Sequence, residues 1–220
     1  MSFDAAIFDL DGTLLDSMGM WEQLDADFLA RRGLPVPPGY TAAVSTMNFP
    51  EAAAYTIRTL GLSETPEAII REWNSMVSDA YKHKIRLKPY AREYLAFLRK
   101  HRVRCGVATA LSPELYSPVL KQNGIFSLFS AFTDVSEVRR GKSFPDIYLL
   151  AAKRLGTPPN RCAVFEDVLP GILGAKAAGM AAYGVWDAAA SRDEDAIRST
   201  ADRYILSFTE LLPQEQVRTE

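Results

Sequence analysis

Short, continuous apolar runs recur along this chain, and each ends in a polar or small residue. Runs of this length without alternation are typical of strands that are buried on both faces of a parallel sheet. The pattern predicts five such strands, at Ala5–Asp9, Cys105–Thr109, Ala131–Asp134, Cys162–Glu166 and Ala181–Val185. A shorter last strand is expected at Tyr204–Leu206.

Most of these runs are separated by segments with the spacing of amphipathic helices. Two of the segments begin with a proline in the first turn and stop at a glycine, as helices commonly do. They are Pro113–Asn123, which precedes Gly124, and Pro145–Leu155, which precedes Gly156. Because strands and helices alternate, the sequence predicts an α/β fold with a doubly wound parallel sheet.

The alternation is interrupted once, between Asp16 and about Leu87. This stretch shows no convincing strand pattern, but it carries helical stripes of apolar residues. The clearest positions are Trp21, Leu24 and Phe28 in one stripe, and Ile69, Trp73, Met76, Val77 and Ala80 in another. The sequence therefore predicts a helical insert of about 70 residues directly after the first strand.

Composition narrows the range of functions. The chain has 220 residues, a net charge of -2 and a pI of about 5.8, and it contains no long basic run, so a nucleic-acid partner is not expected. No signal peptide or apolar stretch of membrane-spanning length is evident, so we expect a cytoplasmic protein without a membrane partner, a monomer or weak dimer. With two histidines and two separate cysteines, a zinc site or a histidine-based triad would be hard to assemble.

Two carboxylates follow the first predicted strand directly, in the segment DLDGT at residues 9–13. Residues two apart in an extended chain point the same way, so Asp9 and Asp11 are expected to emerge together at the carboxyl end of the strand. Two close carboxylates repel each other, which favours a bound cation. A solvated turn or a Ca²⁺ loop is the alternative, although Leu14 and Leu15 do not supply the oxygen ligands of an EF-hand loop.

Other polar residues lie at the ends of later strands. Glu166 and Asp167 end the Cys162 strand and would complete an acidic cluster suited to Mg²⁺. Thr109 ends the Cys105 strand, where its hydroxyl could donate to a phosphoryl oxygen. The alternative is that it caps the next helix, but Ser112 is the better candidate for the N-cap. Lys142 stands just before a predicted helix, where it is a candidate for the same site. The alternative is an ordinary solvated lysine on the surface.

These four elements, in this order, resemble the haloacid dehalogenase superfamily of phosphotransferases. The family pattern is DxDGT, then Thr or Ser at a strand end, then Lys, then a pair of acids. The resemblance covers essentially the whole chain and places it near the β-phosphoglucomutase-like branch. It implies a Rossmann-like catalytic core at residues 1–16 and 88–220, with an inserted α-helical cap at residues 17–87.

The resemblance also implies roles for individual residues. Asp9 would be the nucleophile and Asp11 the general acid–base of a Mg²⁺-dependent phosphatase that works through an aspartyl-phosphate. Thr109 and Lys142 would bind the phosphoryl group. The ligands of Mg²⁺ would be the Asp9 side chain, the Asp11 backbone carbonyl, Asp167, and Glu166 directly or through water.

The choice between phosphatase and mutase depends on the insert. Mutases of the β-phosphoglucomutase-like branch carry a His at the position of Trp21. They also carry basic residues on a cap loop, whereas the corresponding segment here, Ser45–Phe49, has none. The sequence therefore favours hydrolysis of a small phosphorylated metabolite, such as a sugar phosphate, with a phosphomutase as the alternative. Trp21, Met47, Asn48 and Phe49 are candidates to line the substrate pocket. The alternative for the three apolar residues is an ordinary position in the core of the insert. A non-catalytic binding protein on this fold is disfavoured because the catalytic set is intact.

Overall fold

The protein, seen in a computed structural model that describes residues 2–44, 47 and 49–217, divides into two compact units. One unit comprises Met1–Ser17 and Ile85–Glu220, and the other comprises Met18–Lys84. The second unit therefore occupies the stretch in which the sequence predicts a helical insert. The division falls at Met18 and Lys84, whereas the sequence places it at residues 17 and 87.

Within the described part of the chain, the strands all belong to the first unit. They are β1 (Ala5–Phe8), β2 (Leu15–Asp16), β3 (Arg86–Leu87), β4 (Arg104–Thr109), β5 (Ala131–Asp134), β6 (Cys162–Glu166), β7 (Ala181–Val185) and β8 (Arg203–Ile205). Six of them form one parallel sheet in the order β5-β4-β1-β6-β7-β8. The chain runs outward from β1 through β4 and β5, then crosses to β6 on the other side. Open α/β sheets bind ligands at the carboxyl ends of the strands, at the point where the strand order reverses. In this sheet that point is at β1.

Strands β2 and β3 form a separate antiparallel pair, in which Leu15 faces Leu87 and Asp16 faces Arg86. The sequence does not predict this pair. The reason is physical: two residues are too few to show the alternation or the apolar run by which a strand is detected. The pair lies at the two points where the chain leaves the first unit and returns to it.

The second unit is helical, as predicted. Its helices are α1 (Met18–Ala30), α2 (Tyr40–Val44), α3 (Phe49–Leu60) and α4 (Pro66–His83). The apolar stripes face its interior, where the ring of Phe28 packs edge-on against that of Trp73 at a centroid distance of 5.3 Å. Helix α4 begins where the Thr65 hydroxyl accepts a hydrogen bond from the backbone N–H of Ala68, the usual arrangement at an N-cap.

The helices of the first unit cover both faces of the sheet. They are α5 (Ala91–Lys100), α6 (Pro113–Gln122), α7 (Asp146–Arg154), α8 (Leu169–Ala177), α9 (Glu194–Thr200) and α10 (Gln214–Val217). Ile7 points into a core that includes residues of α7 and α8, whereas its neighbour Phe8 stacks on Phe165 and meets Tyr94 of α5. Successive strand residues point to opposite faces, so this contrast confirms the predicted doubly wound α/β fold.

Short 3-10 helices connect several of these elements, at Phe126–Leu128, Val135–Glu137, Pro159–Arg161, Ala188–Asp193 and Phe208–Leu211. Among the residues that the structure describes, no helix combines the length and the apolar composition that a membrane crossing requires.

Candidate active site

The centre of the candidate site lies at the carboxyl ends of β1 and β6. Phe8 pairs with Phe165 in this parallel pair, and the backbone N–H of Asp9 donates to the carbonyl of Phe165 at 3.0 Å. This register brings Asp9 beside Glu166, the last residue of β6, and Asp167 follows directly. All three carboxylates are buried.

These three side chains each offer a carboxylate oxygen, and the three oxygens lie within 4.8 Å of one another. Burial raises the pKa of Glu166, and the charges of Asp9 and Asp167 add to that rise against the opposing effect of Lys142. Burial, followed by the charge of Asp9, likewise raises the pKa of Asp167. Three buried carboxylates this close therefore repel one another, and a cation would relieve that repulsion.

Lys142 supplies positive charge to this cluster. Its Nζ lies 2.6 Å from Asp9 Oδ1 and 2.6 Å from Glu166 Oε1. Burial alone would lower the pKa of Lys142, but the two carboxylates outweigh it and raise the pKa, so the side chain stays charged. The structure thus brings together the lysine and the acids that the sequence singles out on separate segments.

The loop that carries Lys142 is held against α8 by a close approach. A Cβ atom on Gly174 would lie only 2.0 Å from the backbone carbonyl oxygen of Lys142. No side chain fits at that distance, so the glycine is needed for the helix to pack directly against the loop. Gly174 therefore helps to place the lysine as well as the helix.

The turn after Asp9 is built for close packing as well. Gly12 has a φ of +73°, and a Cβ atom there would lie 2.2 Å from Asp167 Oδ2. The Thr13 hydroxyl donates to Asp167 Oδ1 at 2.8 Å. The turn consequently holds one oxygen of Asp167 and leaves room only for a glycine beside the other.

The residues present fit a hard divalent cation. Buried carboxylate oxygens in close proximity are the ligands that Mg²⁺ and Ca²⁺ prefer. Within the described part of the chain, Glu166 Oε2 is a buried oxygen without a hydrogen-bond partner, an arrangement that is costly unless something binds it. The geometry therefore suits a divalent metal without selecting which one.

Asp11 lies outside the three-oxygen cluster, and Thr109 lies at the end of a strand next to β1. The carboxylate of Asp11 is not among the three grouped oxygens, and its Oδ1 accepts a hydrogen bond from the Ser17 hydroxyl at 2.6 Å. Thr109 ends β4, which neighbours β1, and its Oγ1 accepts from the backbone N–H of Leu111 at 3.1 Å. The Thr109 hydroxyl also carries a proton, which a hydroxyl can donate.

Comparisons with known proteins identify the family of this chain. A family model described as haloacid dehalogenase-like hydrolase matches residues 3–179. This chain belongs to that family. The enzyme class is thereby confirmed as a hydrolase, in accord with the resemblance seen in the sequence.

Individual relatives of this haloacid dehalogenase-like hydrolase cover nearly its whole length. Hexitol phosphatase B of Escherichia coli K12 is 27% identical over 96% of this chain and 95% of that protein. A HAD family hydrolase from Deinococcus radiodurans, solved with bound phosphate and sodium, is 27% identical with a TM-score of 0.76, covering 96% of this chain and 93% of that one. A β-phosphoglucomutase from Clostridium difficile, at 20% identity and a TM-score of 0.68 over 98% and 96% of the chains, shares the fold.

Besides Thr13, two further hydroxyl groups among the described residues of this hydrolase contact the candidate residues without having been predicted from the sequence. Ser17 donates to Asp11, and Tyr148 of α7 donates to Glu166 Oε1 at 2.8 Å. Burial, followed by the charge of Glu166, raises the pKa of Tyr148, so its hydroxyl remains protonated and able to donate. Neither residue directly follows one of the apolar runs, and each has the sequence surroundings of an ordinary helix or turn position.

The candidates for the substrate pocket belong to the second unit. The ring of Trp21 packs edge-on against Phe49 at 6.4 Å, and Phe49 packs against Trp73 at 5.7 Å. Met47 is half-buried, and Asn48 lies outside the described residues. Trp21 is half-buried, and its ring contact with Phe49 places it at the edge of the aromatic cluster of that unit, while a role toward substrate stays a prediction.

Proposed function

We propose that this protein is a Mg²⁺-dependent phosphatase that hydrolyses a small phosphorylated metabolite, such as a sugar phosphate, through an aspartyl-phosphate on Asp9. The observation that carries the proposal is the placement of Asp9, which lies 2.6 Å from Lys142 and shares a buried cluster with Glu166 and Asp167. Family membership supports it, as do the relatives named for phosphatase activity or solved with phosphate.

The metal ligands in this proposal are the side chains of Asp9 and Asp167, the backbone carbonyl of Asp11, and Glu166 directly or through a water molecule. When bound, Mg²⁺ would neutralise charge on the carboxylates and on the phosphoryl oxygens, which lowers the barrier for attack by one anion on another. The remaining chemistry is assigned to the side chains of this chain.

In the first step, a carboxylate oxygen of Asp9 attacks phosphorus while the bond between phosphorus and the ester oxygen breaks. Lys142 and the Thr109 hydroxyl stabilise the charge on the transferring oxygens. Asp11, protonated at this stage, donates its proton to the departing alkoxide. The products of the step are an alcohol and an aspartyl-phosphate.

In the second step, Asp11 is a carboxylate and takes a proton from water as the water oxygen attacks phosphorus. The bond between phosphorus and the Asp9 oxygen breaks, which releases inorganic phosphate and restores the free carboxylate. Dividing the reaction in this way replaces one difficult displacement by two easier ones.

The proposal predicts that hydrolysis of p-nitrophenyl phosphate depends on Mg²⁺. Extensive treatment with EDTA, followed by desalting, should reduce release of p-nitrophenol to the uncatalysed rate in buffer, because Lys142 alone does not offset the repulsion between the three carboxylates and the phosphate. Adding MgCl₂ back should restore the original rate, whereas the same concentration of NaCl should not. A rate that survives complete chelation would contradict the metal-dependent mechanism.

Water rather than a sugar is the expected phosphoryl acceptor. The reason lies in the residues of the second unit. A mutase must bind a second phosphate, and burying one without a cation is costly, yet the sequence between Ser45 and Phe49 contains no lysine or arginine. Trp21, at the position of the mutase histidine, packs against Phe49 instead.

This expectation can be measured with β-glucose 1-phosphate and a glucose bisphosphate primer. We expect free phosphate or no reaction, and no accumulation of glucose 6-phosphate in a coupled dehydrogenase assay. Rapid formation of glucose 6-phosphate that requires the primer and releases little phosphate would establish the mutase alternative.

The proposal also assigns the first unit as the catalytic core and the second as the cap. We expect the protein to act in the cytoplasm as a monomer or weak dimer on a small phosphate ester. A non-catalytic binding role on the same fold is disfavoured because the nucleophile, the acid–base, the lysine and the metal acids are all present.

A further inference from the structure

Glu166 is held asymmetrically. Its Oε1 lies 2.6 Å from Lys142 Nζ and accepts the hydroxyl hydrogen of Tyr148 at 2.8 Å, whereas Oε2 has no hydrogen-bond partner among the described residues. A carboxylate oxygen offers about two lone-pair positions, so two donors occupy Oε1. The lone pairs left over are those of Oε2.

Tyr148 is well suited to fix this orientation. Its side chain is completely buried, in a hydrophobic core that also contains Ile147 and Ile172. A Cβ atom on Gly174 would lie 2.8 Å from Tyr148 Cε2, so α8 packs directly against the ring. A ring confined on its sides cannot move its hydroxyl away from Glu166 without repacking the core. Lys142, by contrast, is shared between Glu166 and Asp9.

We propose that Tyr148 is a positioning residue of the metal site: its hydroxyl holds the carboxylate of Glu166 so that Oε2 is free for the cation or for a water bound to it. The inference rests on the proposed function, since it concerns the metal of that same site. Groups that orient metal ligands commonly contribute a factor of about 10 to 100 in metal affinity. The ion that this oxygen would bind is a hard divalent cation.

The test is Mg²⁺ binding to the full chain by isothermal titration calorimetry, with Tyr148→Phe compared with the original protein. Phenylalanine keeps the buried ring and removes only the donor, so we expect Mg²⁺ to bind roughly 10- to 100-fold more weakly. The Mg²⁺ concentration for half-maximal hydrolysis should rise by the same factor. At saturating Mg²⁺ the kcat should return to within about twofold of the original, since Tyr148 does not touch the reacting atoms.

Tyr94→Phe is the matched control. Tyr94 is also buried, but it lies on α5, on the opposite face of the sheet, where it packs against Phe8 and Phe208. Its replacement should leave Mg²⁺ affinity unchanged. An equal loss of affinity in both variants would overturn the inference, because it would show a general effect of removing a buried hydroxyl.

The remaining outcomes separate the inference from the function on which it rests. Unchanged Mg²⁺ affinity in Tyr148→Phe, in a protein that binds Mg²⁺ and hydrolyses phosphate esters, would overturn the inference alone. Loss of the far-ultraviolet circular dichroism signal in that variant would also overturn it, since the hydroxyl would then serve folding. Failure of the original protein to bind any divalent cation would overturn both proposals.

Discussion

Replacing Asp9 with asparagine is expected to reduce turnover to the background rate, a loss on the order of 10⁴-fold or more. Asparagine has nearly the same shape, but its neutral amide cannot form the covalent bond to phosphorus. The fold should survive, because Lys142 keeps its ion pair with Glu166 when the charge of Asp9 is removed. The loss of turnover would therefore come from the missing nucleophile and not from unfolding.

Initial rates of phosphate release measure this effect, and mass spectrometry of acid-quenched protein checks for a phosphate adduct on Asp9. Asp4→Asn is a matched control, since it makes the same substitution just before the start of β1, at a residue half-exposed and paired with Arg161. An exposed ion pair contributes little to stability, so this variant should keep full activity. Substantial turnover by Asp9→Asn would show that Asp9 is not the nucleophile.

The second large effect is expected at Asp11. Asparagine at this position can neither protonate the leaving alkoxide nor deprotonate water, which should lower kcat on the order of 10²–10⁴-fold. Its backbone carbonyl, the proposed metal ligand, is retained. Because the carboxylate of Asp11 is not part of the three-oxygen cluster, Mg²⁺ affinity should change little.

The signature of this role is its dependence on the leaving group. The loss caused by Asp11→Asn should be smaller for aryl phosphates, whose leaving groups need no proton, than for alkyl phosphates. Asp16→Asn, which alters an exposed carboxylate of β2, serves as the control and should leave kcat unchanged for both kinds of ester. A loss of equal size for both kinds of ester would mean that Asp11 acts through folding or metal binding.

The sequence by itself determined the sheet and the approximate position of the acids. Buried parallel strands have continuous apolar runs, so β5, β6 and β7 have the predicted bounds and the ends of β1, β4 and β8 differ by a residue. Since parallel strands place their carboxyl ends at one edge of the sheet, the strand pattern is enough to predict that Asp9 and Glu166 meet there.

Only the tertiary structure decided how these groups contact one another. The lysine lies between Asp9 and Glu166, the tyrosine of α7 donates to Glu166, and the carboxylate of Asp11 bonds to Ser17 rather than joining the cluster. Hydrophobic periodicity reports which face of one segment is buried. Hydrogen bonds between residues far apart in sequence depend on strand register and on how closely α7 and α8 pack, which no single segment encodes.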